Sequence, residues 1–116
     1  MYEYRAELIR VYDGDTIWVD LDLGFGVWLR NQSIRLKGID TPEVRGSEKV
    51  EGRVSRDRLA ELLNSAGGNC IIKTSRDKQK GKYGRILGEI FIENESSSLN
   101  QMLLDEGLAV EYMKDK

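Results

Sequence analysis

Apolar and polar residues alternate along the first third of the chain, and this pattern predicts β-strands. Residues 17–23 place Ile, Val, Leu and Leu at every second position, with Trp and Asp between them. This period of two is typical of a strand with one buried face. Residues 5–11 form an earlier extended run that leads to the hairpin-turn dipeptide Asp13-Gly14. After a glycine-rich turn, residues 27–37 predict a third strand.

The pattern changes to a helical period in the middle of the chain. Apolar residues recur at positions 59, 62, 63 and 66, and two glycines follow. This spacing predicts a helix over 54–66 that ends at the glycine pair. Short apolar segments at 69–74 and 86–92 predict two further strands. A second helix is predicted near 98–106, because Ser98 and Gln101 have the spacing of a capping box.

The predicted order of elements is three strands, a helix, two strands and a helix. This order favours a mainly β protein with packed helices, in which five strands form a small, partly open barrel of the OB type. A β-grasp or another α+β sheet is the alternative. The 116 residues contain one proline and no linker-like segment, so a single domain over 1–116 is expected.

The composition narrows the chemistry. The chain has no histidine and one cysteine, which excludes Ser-His and Cys-His nucleophile pairs and a metal cage built of cysteines. An enzyme of this composition must use carboxylates, lysine, arginine, tyrosine or a metal ion held by oxygen atoms. The net charge of −2 is unevenly spread, since residues 73–85 carry six cationic side chains against one aspartate. Such a local basic segment can bind an anion even in an acidic protein.

Four carboxylates stand at predicted turns: Asp13 and Asp15 flank a glycine, and Asp40 and Glu43 flank Thr-Pro. Aspartate is common in turns, so each pair taken alone has a purely structural interpretation. Asp15, however, shares the parity of the buried positions 17, 19 and 21, which predicts that it lies in the mouth of the barrel. Two carboxylates with a backbone carbonyl and water make a plausible Ca²⁺ site.

Arginines and a basic loop complete the candidate site. Arg35 alternates with apolar neighbours and is therefore expected on the opposite face of its strand, where a solvated arginine is the alternative interpretation. Residues 81–85, GKYGR, combine glycines with a lysine, an aromatic ring and an arginine. These residue types suit close approach to a ligand, base stacking and a bidentate contact with phosphate. A basic hairpin loop is the alternative. A metal, a carboxylate that activates water and two arginines together suit phosphodiester hydrolysis.

Three segments of the sequence resemble the signatures of the staphylococcal (thermonuclease-like) nuclease family. They are residues 11–16 (VYDGDT), 34–43 (IRLKGIDTPE) and 82–85 (KYGR), and LDEGLA at 104–109 resembles a helix end of that family. The resemblance extends from about residue 4 to residue 112. It implies an OB-fold barrel and a Ca²⁺-dependent, sugar-nonspecific nuclease that leaves 3′-phosphates on DNA and RNA, preferably single-stranded.

The resemblance also implies roles for individual residues. Asp15, Asp40 and the Thr41 carbonyl would hold Ca²⁺, and Glu43 would be the general base or orient the attacking water. Arg35 and Arg85 would bind the scissile phosphate. Lys82, Tyr83 and Tyr112 would contact the substrate.

Two other functions remain open on the sequence. One is a catalytically silent nucleic-acid-binding module of the same fold, and the other is an unrelated interaction domain. A monomer is expected. No membrane partner is expected, because no apolar run approaches the roughly 18 residues of a membrane span. The first ten residues lack a leader pattern, which favours a cytoplasmic or mobile-element-encoded protein. A processed secreted form is the alternative.

Overall fold

The computed structural model describes residues 2–74 and 86–112, and its strands form a closed five-stranded barrel with a small two-stranded sheet beside it. The strands are β1 (Tyr2–Asp13), β2 (Thr16–Asp22), β3 (Trp28–Leu36), β4 (Ile39–Asp40), β5 (Asn69–Thr74), β6 (Ile86–Phe91) and β7 (Val110–Glu111). The helices are α1 (Lys49–Ser65) and α2 (Leu99–Asp105), and a 3₁₀ turn, Gly46–Glu48, precedes α1. The predicted five-stranded barrel with two helices is confirmed.

The barrel is closed, whereas the sequence predicted a partly open one. Its strand order is β1-β2-β3-β6-β5, and β5 pairs again with β1. Most pairs are antiparallel, but β3 and β6 run parallel over Ile34–Leu36 and Ile86–Gly88. This parallel pair closes the sheet. It could not be predicted from a local sequence pattern, because the two strands lie far apart in the chain.

The turn between β1 and β2 is fixed by side-chain and backbone hydrogen bonds. The carboxylate of Asp13 accepts a hydrogen bond of 3.1 Å from the amide of Asp15, as in an Asx turn. The carbonyl of Asp15 accepts a hydrogen bond of 2.8 Å from the amide of Leu36, at the end of β3. The turn is therefore attached to β3, which places Asp15 at the end of the barrel where β3 finishes.

The core lies inside the barrel and beneath the two helices. Among the residues that the structure describes, its most completely buried members are Ile17, Val19, Leu21, Ile34, Leu36, Ile39, Leu59, Leu63, Ile72, Ile90, Leu99 and Leu103. Ile17, Val19 and Leu21 of β2 belong to this set, which confirms the predicted period of two within the strand. Leu23 was predicted to continue the pattern, but it lies beyond the end of β2 and is exposed. The apolar stripe of α1 contributes Leu59 and Leu63, as the helical spacing predicted.

Cys70 lies at the junction between β1 and β5, where it pairs with Ala6. It is 5% exposed and packs in the core. Burial raises the pKa of its thiol to about 12, so the thiol is protonated at neutral pH and behaves as a small apolar side chain.

Helix α1 starts earlier than predicted, at Lys49 rather than near residue 54. The apolar spacing was clear only from position 59 onward, because Val50 and Val54 are exposed. Gly52, a poor helix former, further obscured the first turn. A Cβ atom on Gly52 would lie 2.0 Å from the carbonyl oxygen of Glu43. The glycine therefore lets the helix lie directly against the Glu43 backbone.

Helix α2 is attached to β6 and to the residue that follows β3 through Asn100, which is 4% exposed. Its side-chain oxygen accepts a hydrogen bond of 3.1 Å from the Ile90 amide. Its side-chain nitrogen donates to the carbonyls of Lys37 at 2.9 Å and Gly88 at 3.2 Å. At the start of the helix, the Ser98 hydroxyl accepts a hydrogen bond of 3.0 Å from the Gln101 amide, which confirms Ser98 as the N-cap. The Gln101 side chain donates to Asp105 instead of completing the predicted capping box.

The two-stranded sheet of β4 and β7 was not predicted, since two residues are too few to produce a period. Ile39 pairs with Glu111 and Asp40 with Val110. The amide of Tyr112 then donates a hydrogen bond of 2.9 Å to the carbonyl of Gly38. This pairing brings the residues after α2 beside the segment that carries Asp40. Within residues 2–74 and 86–112, no helix is long and apolar enough to cross a membrane.

Candidate active site

Arg35 lies between two carboxylates at the end of β3. Its Nη1 is 3.3 Å from Asp15 Oδ2, and its Nη2 is 3.6 Å from Asp40 Oδ1. The Arg35 side chain is 13% exposed and that of Asp15 is 9% exposed, whereas the Asp40 side chain is 54% exposed. The planar guanidinium thus joins one buried and one accessible acidic group.

Asp15 is held by the segment that follows β4. Its Oδ2 accepts hydrogen bonds from the Thr41 amide at 3.0 Å and the Thr41 hydroxyl at 3.1 Å. Its Oδ1 accepts a hydrogen bond of 3.2 Å from the Thr16 hydroxyl. Because these donors satisfy both carboxylate oxygens, the Asp15 side chain is buried in one orientation.

Gly14 allows the turn to pack closely against this segment. A Cβ atom at this position would lie 2.8 Å from both the Ser55 Cβ and the Thr41 Cγ2. Any larger residue would push the turn away from Thr41 and α1. The glycine of the DGD motif is therefore required by packing.

The acidic groups at this end of the barrel influence each other's protonation. Burial, followed by the hydrogen bond and charge of Asp15, raises the pKa of Asp13 to about 7. Partial burial and the charge of Asp15 raise the pKa of Asp40, and the Arg35 charge opposes this shift. A bound cation would relieve the repulsion that disfavours the ionised forms.

Glu43 is exposed on the loop between β4 and α1. Its amide donates a hydrogen bond of 3.3 Å to the Glu48 carboxylate, and its carbonyl lies against Gly52. The backbone of Glu43 is therefore fixed, and the residue lines the same cleft as Asp40 and Arg35.

Tyr112 packs against Arg35 from the side of β7. The Arg35 Cζ lies 5.3 Å from the centre of the Tyr112 ring, within the range of a cation–π contact. The ring and the two carboxylates together limit the orientations that the guanidinium can adopt.

These side chains line a cleft of about 520 Å³ at the β3 end of the barrel. The cleft is lined by Arg10, Tyr12, Asp13, Asp15, Thr16, Trp18, Ser33, Arg35, Asp40, Glu43 and Tyr112. Thr41 contacts Asp15 just behind it. Six of the predicted site residues are therefore brought together. The other three, Lys82, Tyr83 and Arg85, lie outside the described residues.

Residues 33–116 match the family model described as staphylococcal nuclease homologue. This stretch covers most of the chain and contains Arg35, Asp40 and Glu43. The chain belongs to the staphylococcal nuclease homologue family.

Individual members of this nuclease family align with almost the whole chain. A thermonuclease from Staphylococcus hyicus is 36% identical over 111 residues, which are 92% of this chain and 59% of that protein. A micrococcal nuclease from Shigella flexneri is 29% identical over 119 residues, covering 95% of this chain and 59% of the relative. An uncharacterized endonuclease from Escherichia coli is 33% identical over 110 residues, which cover 95% of this chain and 62% of that protein. The chain thus spans about three-fifths of the length of these relatives.

The donor set of this nuclease-family site suits a hard cation. Asp15 and Asp40 supply two carboxylates beside the same guanidinium. Among the described residues there is no group of three or more His, Cys, Asp or Glu side chains arranged to hold a metal ion. A cation here would therefore need neutral oxygen atoms and water besides the two carboxylates, a mixture that Ca²⁺ accepts.

Sequence reasoning missed several residues that line the cleft in this family member. Arg10, Trp18 and Ser33 were assigned only to strands, while Tyr12 and Asp13 stood in the VYDGDT segment without a predicted role in the site. The signal for Trp18 was present, because alternation with Ile17 places it on the outer face of β2. The cross-strand register that sets it beside Arg10 and Ser33 was not visible in the sequence.

Proposed function

We propose that this protein is a Ca²⁺-dependent nuclease that hydrolyses phosphodiester bonds of DNA and RNA, preferably single-stranded, and leaves 3′-phosphate products. The observation that carries the proposal is the convergence of Arg35, Asp15, Asp40 and Glu43 in one cleft of a nuclease-family barrel. This set combines cation ligands, a phosphate-binding fork and a free carboxylate, which are the groups that the reaction needs.

Asp15 and Asp40 would hold the cation, with the Thr41 carbonyl as a neutral ligand. When bound, Ca²⁺ neutralises negative charge on the phosphate and makes phosphorus more electrophilic. Asp15 is already fixed by Thr41 and Thr16, so one of the charged ligands needs little reorganisation. The accessible carboxylate of Asp40 completes the pair from the cleft side.

Arg35 would bind two oxygens of the scissile phosphate through its guanidinium, which is held in place by Asp15 and Tyr112. Arg85 is proposed as a second cation on the same phosphate, and Lys82, Tyr83 and Tyr112 as contacts to the neighbouring nucleotide. A charge that grows on the phosphate oxygens in the transition state favours such fixed donors.

Glu43 would accept the proton of the attacking water, or orient that water, from its exposed position in the cleft. The chain offers no histidine for this step. A carboxylate base works at neutral pH when the water is activated at the same time.

The proposal is tested with fluorescently labelled single-stranded DNA, RNA of the same sequence and duplex DNA. Each is incubated with the protein in Ca²⁺, in Mg²⁺ and in a chelator. We expect cleavage in Ca²⁺, little in Mg²⁺ alone and none in the chelator, because magnesium demands a more regular ligand set. Treatment of the products with a 3′-phosphatase should shift their mass. Tight binding of the labelled strands without cleavage in any ion would instead support the silent binding module.

A further inference from the structure

A row of side chains crosses the outer face of the barrel next to Arg35. Trp18 on β2 pairs with Arg10 on β1 and with Ser33 on β3. The next outward-facing pair along the same strands is Thr16 with Arg35. Two residues of a strand span about 7 Å, so the Trp18 row lies roughly one nucleotide away from the proposed phosphate site.

The aromatic rings of this row are available to a ligand. Trp18 is half-buried and lines the cleft, which is also lined by Tyr12, a residue that is 38% exposed. The Cζ of Arg10 lies 5.2 Å from the centre of the Trp18 ring. This contact holds the indole in place and puts a positive charge over one of its faces, so that a base would stack on the other face.

The charges in the cleft indicate which kind of ligand would bind beside Trp18. Asp13, Asp15 and Asp40 place carboxyl groups in the cleft, and these repel phosphate groups unless a cation is bound between them. Arg10 supplies positive charge away from these carboxyl groups, next to two aromatic rings. Aromatic side chains that stack on bases, with cations along the backbone, are the usual means of binding single strands, and the outer face of strands 2 and 3 is where OB folds bind oligonucleotides.

We propose that Trp18, with Tyr12 and Arg10, forms a stacking subsite for an unpaired base of the nucleotide adjoining the scissile phosphate. This subsite selects single-stranded substrates, because the faces of bases in a duplex are already covered by their neighbours. The proposal rests on the proposed nuclease function for the location of the scissile phosphate, but base stacking on Trp18 does not require cleavage.

Trp28 provides a matched control on the same hairpin. It also carries a cation over its ring, with the Arg30 Cζ 4.7 Å from the ring centre. Unlike Trp18, it lies at the opposite end of the hairpin and lines a different cavity, together with Arg5 and Asp22. Because the chain has two tryptophans, Trp28→Phe and Trp18→Phe each leave a single fluorescent indole.

The first experiment measures binding of a single-stranded DNA tetranucleotide in chelator, so that cleavage does not interfere. Trp18→Ala should weaken binding about tenfold, the effect of losing one stacked base. Trp18→Tyr should restore most of the affinity, and Trp28→Ala should bind like the wild type. Fluorescence of the Trp28→Phe protein should be quenched by the tetranucleotide, and that of the Trp18→Phe protein should not. Each variant is first shown by circular dichroism to be folded.

The second experiment removes the base from the ligand instead of the ring from the protein. With tetranucleotides that carry an abasic position, the affinity difference between wild type and Trp18→Ala should disappear at the position that stacks. With a cleavable strand in Ca²⁺, Trp18→Ala should raise KM more than it lowers kcat. The loss should be much smaller on duplex DNA.

The outcomes separate this subsite from the proposed nuclease function. A wild-type protein that never cleaves but shows Trp18-specific, base-dependent binding retains the subsite and loses the nuclease proposal. A protein that cleaves normally, but whose Trp18→Ala and Trp28→Ala variants bind and cleave equally well, overturns the subsite. Equal losses with abasic and intact strands would also overturn it, because the indole would then not contact a base.

Discussion

Arg35 Nη1 lies 3.3 Å from Asp15 Oδ2, and both side chains are almost fully withdrawn from solvent. Breaking such a pair by removing one partner leaves a buried, unneutralised charge. The two residues are therefore coupled in stability as well as in the proposed chemistry. A change at Arg35 needs two separate measurements, one of folding and one of rate.

Arg35→Met should lower the free energy of unfolding by about 3 kcal/mol, because it leaves the buried Asp15 carboxylate without its cation. Arg35→Lys should restore much of that loss, since a positive charge remains. It should still reduce kcat strongly, because the ammonium lacks the planar fork. Urea unfolding and steady-state cleavage of labelled DNA measure the two quantities. If Arg35→Lys is folded and cleaves at the wild-type rate, Arg35 does not bind the phosphate bidentately.

Asp15→Asn and Asp40→Asn should both weaken Ca²⁺ binding, but they should differ in stability. Asp15 accepts hydrogen bonds with both carboxylate oxygens. In the Asp15→Asn variant, the side-chain NH₂ group replaces one of these oxygens. A buried donor is then left unsatisfied, which should lower stability by about 1–3 kcal/mol. Asp40 is 54% exposed, so its change should stay within about 0.5 kcal/mol of the wild type. Calorimetric titration with Ca²⁺ and urea unfolding test both statements. Asp22→Asn, at the far end of β2, is the control and should bind Ca²⁺ normally.

Glu43→Gln should reduce kcat about 100-fold or more, with little change in stability, because it removes the proposed base from an exposed position. Glu48→Gln is the matched control, since it lies on the same loop and its amide oxygen can still accept the hydrogen bond from the Glu43 amide. Single-turnover cleavage in saturating Ca²⁺ measures the chemical step. Similar losses in both variants would indicate that loop geometry, rather than the Glu43 carboxylate, is responsible.

Gly52→Ala should lower kcat even though residue 52 does not line the cleft. Its Cβ would lie 2.0 Å from the Glu43 carbonyl oxygen, so the loop or the helix must move. In an unobstructed helix the same change would stabilise the protein by about 1 kcal/mol. Thermal unfolding and cleavage rates are measured together, with the neighbouring exposed Glu51→Ala as control. A stabilised Gly52→Ala variant with full activity would show that the Glu43 loop tolerates the displacement.

The ion pair between α1 and α2 should make stability depend on pH. Arg58 donates to both carboxylate oxygens of Glu106, at 2.8 and 2.9 Å, and this interaction lowers the pKa of Glu106 below its ordinary 4.5. A lowered folded-state pKa stabilises the protein above the ordinary pKa, and this stabilisation is lost as the pH falls through the lowered pKa. Glu106→Gln should therefore reduce stability by about 0.5–1 kcal/mol at pH 7. Urea unfolding at pH 7 and pH 3 should show that the difference between the two proteins shrinks at the lower pH.

The sequence predicted those parts of the fold that have local signals. The buried alternation of β2 and the capping residue Ser98 depend on neighbours within a few residues, and both were placed correctly. The parallel pairing of β3 with β6 and the two-residue strands β4 and β7 depend on contacts between distant segments. Periodicity carries no information about such contacts.

Some features of the candidate site also have a local signal in the sequence, and others depend on contacts between distant segments. The motif residues Asp15, Arg35 and Asp40 were identified by type and spacing, but their mutual contacts depend on the attachment of the β1–β2 turn to β3. Trp18 and Arg10 belong to no motif. Only the strand register brings them to the cleft, so sequence reasoning found the proposed reactive groups and missed the surface next to them.

The buried thiol of Cys70 can be used to measure how often the barrel opens between β1 and β5. A protonated, inaccessible thiol does not react with a disulfide reagent such as dithionitrobenzoate, so modification requires β1 and β5 to separate. The rate of colour release thus measures how often this junction opens, without any introduced label. A ligand that binds the native state should slow that rate in proportion to its occupancy. The same cysteine, which lies near Leu21 through Ala6 rather than at the cleft end of β2, can therefore report cation or oligonucleotide binding independently of any cleavage.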